Sequence, residues 1–75
     1  SNEVLISFRS PDNGMVSLEL YDLTGKRLQT LYSGSLQKGM YHQVRFHAEG
    51  MANGMYICRL QTPVGISQRK LILNR

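Results

Sequence analysis

Seventy-five residues with nine Lys/Arg against five Asp/Glu carry a net charge of +4, and 41% hydrophobic with 19% charged residues mark a globular chain rather than a disordered one. The length allows one domain, near the lower limit for folding on a hydrophobic core alone, and leaves no room for a catalytic cleft between two lobes. No apolar run approaches the ~20 residues of a membrane helix, the scattered cations lack any nucleic-acid-binding motif, and the single Cys58 excludes an internal disulfide. Nucleic acid and direct membrane insertion are therefore not expected, and the core must stabilise the fold unaided.

Ser1-Asn2 carries no initiator Met and no apolar leader, so an export signal is expected on a longer precursor. The pair resembles a cloning remnant and is given no weight, which leaves residues 3–75 as one domain. From there the period is two. Val4, Ile6 and Phe8 alternate with Leu5, Ser7 and Arg9, and the run closes at Ser10-Pro11-Asp12-Asn13-Gly14. Val16, Leu18 and Leu20 form the next inward set, followed by the tight turn Asp22-Leu23-Thr24-Gly25, in which Asp22 caps backbone N–H groups and Gly25 takes the positive-φ position. Leu28 and Leu31 fall out of phase, which predicts a bulge or a bend in the third strand. Ser33-Gly34-Ser35 with Gly39 reads as a longer connection, and His42, Val44 and Phe46 as the next inward set. Ala48–Asn53 allows at most one helical turn before the turn Ala52-Asn53-Gly54. Tyr56, Cys58 and Leu60 alternate inward, Pro63-Val64-Gly65 turns the chain, and Lys70-Leu71-Ile72-Leu73 forms a terminal strand tied into the sheet. The pattern predicts an all-β antiparallel sandwich.

The chemistry-bearing residues do not assemble a reaction centre. Gly25-Lys26 lacks both the upstream glycine and the following Ser/Thr of a phosphate loop. His42 and His47 are five apart on a strand, so they point to opposite faces and cannot share a metal. Cys58 reads as a small inward hydrophobe with no base in register. All four methionines follow a glycine (Met15, Met40, Met51, Met55), each at a separate turn, where a soft-metal site would need them to converge. No catalytic residue, cofactor or metal is expected.

Four blocks in order resemble a known family. Residues 14–31 contain Gly14, alternating aliphatics, Tyr21-Asp22, then Gly25-Lys26 and spaced leucines. Residues 39–46 open on Gly39 and residues 50–60 carry Gly54-Met55-Tyr56. Lys70–Leu73 lies two residues from the end. Together these are similar to the type A C-terminal sorting domains of type IX secretion, over residues 4–75. Cys58 stands where that family commonly has an aromatic or aliphatic residue, and Asn74-Arg75 where Lys is more usual. The resemblance implies an immunoglobulin-like sandwich of about seven short strands that serves as an address. It trails a secreted cargo, passes through the periplasm, and is recognised by the outer-membrane translocon and shuttle. A sortase then removes it at the cell surface. The residues expected to meet the partner are Arg69, Lys70, Leu71, Ile72, Leu73 and Arg75, and the isolated domain is expected to homodimerise by strand pairing or exchange. A second resemblance, to the immunoglobulin-like domain of flagellar hook-capping proteins, implies an accessory module for carbohydrate or protein binding. With no Trp, such a face would have to use Tyr21, Tyr32 or Tyr41.

Overall fold

A computed structural model describes residues 3–74. Among these residues six antiparallel strands, where about seven were expected, form two facing sheets: β1 (Glu3–Arg9), β2 (Gly14–Tyr21), β3 (Arg27–Leu36), β4 (Tyr41–His47), β5 (Gly54–Thr62) and β6 (Gly65–Leu73). One sheet holds only β1 and β4, and the other runs β3-β2-β5-β6. The expected alternation places Val4, Ile6 and Phe8 half-buried against Leu18, Leu20, Val44, Phe46 and Cys58 in the core between the sheets. The shortest dimension, 15 Å, suits two layers packed ~10 Å apart.

The out-of-phase leucines mark two irregularities. Leu18 pairs with Tyr32 and Glu19 with Thr30, skipping Leu31; Leu20 pairs with Gln29 and Tyr21 with Arg27, skipping Leu28. Each skipped leucine is the extra residue of a bulge, and the first shift lets Leu31 pack against the core.

One expectation is corrected. Ser33-Gly34-Ser35 is not a connection but the interior of β3, where Gly34 pairs with Val16. The glycine is there for space. A Cβ at Gly34 would stand 2.9 Å from the Tyr32 hydroxyl, so the tyrosine ring covers the bare backbone. The crossing to β4 shrinks to residues 37–40, where Met40 N–H donates to the Gln37 carbonyl at 3.0 Å and Gly39 N–H to the Ser10 carbonyl at 2.8 Å. Residues 48–53 stay within the expected limit of one turn. A single bond from Met51 N–H to the Ala48 carbonyl, 3.0 Å, closes one turn, because only six residues separate β4 from the opposite sheet.

Candidate functional site

The terminal strand lies at a sheet edge. β6 pairs with β5 from Thr62↔Gly65 to Gly54↔Leu73, and no described strand takes its other side. Its residues divide three ways. Leu73, 7% exposed, belongs to the core, and Leu71 packs against it half-buried. Lys70 and Ile72 point outward, with Ile72 68% exposed. Arg69 is exposed yet lies directly opposite the inward Cys58, so it projects from the same face as Leu71 and Leu73. Arg75 lies outside the described residues. The terminal run is thus part anchor and part surface, a division hidden in the sequence by three consecutive aliphatics.

The hairpin between β2 and β3 is held as expected. The Asp22 carboxylate accepts from Thr24 N–H at 2.9 Å, Thr24 Oγ1 at 2.6 Å and Lys26 N–H at 3.0 Å. Asp22 and Lys26 close the loop by a backbone bond of 3.0 Å, leaving three loop residues with Gly25 at φ 89°. The Thr24 hydrogen bond, followed by that from Lys26, lowers the Asp22 pKa below its usual value. Beside it, Tyr21 donates to Glu19 Oε1 at 2.9 Å and Arg27 Nη1 reaches Glu19 Oε2 at 3.0 Å. Those two bonds, in that order, lower the Glu19 pKa. Arg59 lies 4.3 Å from the Tyr21 ring centroid and donates to its hydroxyl at 3.3 Å. The result is a polar row across the outer face of β3, β2 and β5.

The remaining motif positions are structural. Gly14, at φ 133°, starts β2 where a Cβ would meet Pro63 Cγ at 2.8 Å. Gly54 opens β5 opposite Leu73, and the Tyr56 hydroxyl donates to the Ala52 carbonyl, bracing the entry to β5. His42 packs 4.3 Å from the Tyr32 ring and 5.6 Å from Phe8, whereas His47 is exposed on the other face. Burial raises the Cys58 pKa, which keeps the thiol protonated near neutral pH. Among the described residues no group of three or more His, Cys, Asp or Glu is placed to hold a metal. Of the three tyrosines a sugar-binding face would use, Tyr21 lies under Arg59 and Tyr32 between Phe8 and His42. Tyr41 alone is broadly exposed, with Arg9 stacked 5.1 Å above it.

One feature was missed by sequence reasoning. β3 touches β4 along one side of the sandwich, whereas on the other side β1 and β6 stand apart around a groove of about 730 Å³. The available signal was the phase of Arg69, a charge in register with the core Leu73 and the half-buried Leu71.

A family model described as "Secretion system C-terminal sorting domain" matches residues 1–74. The chain belongs to this family. The match spans all the described strands, in agreement with the four ordered blocks and the β-sandwich. The sorting domain is a C-terminal signal for type IX secretion, which directs exported protein toward the cell surface or the medium. It therefore engages the type IX machinery. No curated protein and no solved structure gave a significant match to the sorting domain.

Proposed function

We propose that residues 3–75 act as one sorting domain, read in the periplasm through the β6 edge by the outer-membrane translocon or its shuttle. The observation that carries this reading is the split character of β6. Leu73 is locked in the core while Arg69, Lys70 and Ile72 are offered to solvent along an unpaired strand edge. An ordered edge presents backbone N–H and C=O groups to an added strand without first paying the entropy of ordering a tail. Arg69 and Lys70, with Arg75 beyond them, add attraction to an acidic receptor, strongest at low salt. The domain itself performs no reaction, and a sortase removes it once the cargo reaches the surface. Isolated domains pair or exchange strands through the same edge. Because both copies bring Arg69 and Lys70, that association strengthens as salt rises.

The test is a reporter fused ahead of residues 3–75 in cells with an intact or a deleted type IX system. The expected result is external reporter only where the system is intact. Equal export without it would overturn the reading.

A further inference from the structure

The two sheets are unequal, and the inequality opens one seam. Four consecutive β1 residues, Ile6 to Arg9, line the groove. Neighbours along a strand point to opposite faces, so all four can line one cavity only where the strand presents its backbone edge. That edge is the one not paired with β4. The floor comes from the other sheet: Leu18, then Cys58 and Leu60 of β5, then Ser67, Arg69 and Leu71 of β6. Cys58 pairs with Arg69 and Leu60 with Ser67, so the outer strip of the floor is polar and basic where its neighbour is apolar. Arg69 has no hydrogen-bond or ion-pair partner among the described residues.

We propose that this seam is a docking site for one extended strand of a partner protein, added beside β1, with apolar residues over Cys58 and Leu60 and an inward acidic residue at Arg69. Three observations select this occupant. The sheet of β1 and β4 has two strands among the described residues, so a third can be added at its β1 edge. The free β1 edge supplies main-chain pairing in the strand-addition mode. The inward cation sits where an all-apolar strand would leave it desolvated and unpaired. A second copy of this chain fits poorly, since each brings a net charge of +4 and the same Arg69. The site rests on the sorting reading only for the source of the strand, a protein of the export path. It meets the β6 edge at Lys70, which also lines the groove, whereas the outward Ile72 lies outside it.

The experiment titrates the isotope-labelled chain with three eight-residue peptides alternating valine and serine. In one, a central valine is glutamate; in the second it is lysine; in the third the glutamate replaces a serine, on the opposite face. The glutamate-for-valine peptide is expected to bind roughly tenfold more tightly than the other two, with amide shifts at Ile6–Arg9. Arg69→Glu is expected to reverse the order of the first two, and Arg69→Gln to level it. Equal binding of all three peptides, no binding, or shifts confined to β3 would overturn the proposal. So would a self-association interface in the groove, or Arg69-dependent binding to phosphatidylglycerol vesicles in place of the peptide. Native-level export of an Ile72→Ser reporter fusion, altered outside the groove, with peptide binding intact would instead count against the sorting surface on β6, which keeps the two failures apart.

Discussion

Asp22 is the residue whose local chemistry is most completely determined. One carboxylate oxygen gathers Thr24 N–H, Thr24 Oγ1 and Lys26 N–H, and these bonds favour its charged form. A carboxyl whose pKa is lower in the folded than in the unfolded chain contributes stability above its unfolded value, and that contribution fades as pH falls through the folded value. Glu19 behaves alike through Tyr21 and Arg27. Thermal stability is therefore expected to fall on acidification below pH ~4, the ordinary carboxylate value. Asp22→Ala is expected to lower Tm at pH 7, with the difference from the native chain shrinking at pH 2–3 (about one to two units below that value). A gap that stays constant across this range would mean that Asp22 acts through shape and not through charge. This role was readable from Asp22-Leu23-Thr24-Gly25 alone, because short-range turn chemistry depends only on neighbours in sequence.

At the scale of the element, β6 is both anchor and surface. Leu73 faces Gly54 and is buried with Phe46 and Cys58, while its neighbour Ile72 is exposed. Leu73→Ala is expected to cost ~2–5 kcal/mol by emptying a core position. Ile72→Ala should stay within ~0.5 kcal/mol. Denaturant titration of the two variants checks the contrast, and similar losses would contradict the assignment of faces. Removing Leu71–Arg75 as a block would therefore test folding before it tested recognition. The strands themselves were legible because inward and outward residues alternate, and even the bulges in β3 showed as the misphased Leu28 and Leu31. Gly34 was not legible as strand. A glycine between two serines carries turn chemistry, and only the Tyr32 ring, placed over it by the fold, gives it a packing role.

For the whole molecule, the arrangement of two strands over four determines what is exposed. Alternation fixes which face of a strand is buried, but not how many strands each sheet holds or which seam stays open, since those depend on pairings distant in sequence. Thus the sandwich and the terminal strand were legible, whereas the groove between β1 and β6 was not. Membership of the sorting-domain family gives the molecule its role, and the two surfaces proposed to carry that role are the β6 edge and the open seam. The most direct measurement is export of the reporter fusion carrying Lys70→Glu with Ile72→Ser, outward substitutions that leave Leu71, Leu73 and Arg69 in place, beside a Tm showing that the domain remains folded. The external fraction is expected to fall at least several-fold while Tm holds. Native-level export from this folded variant would contradict a signal read at the β6 edge.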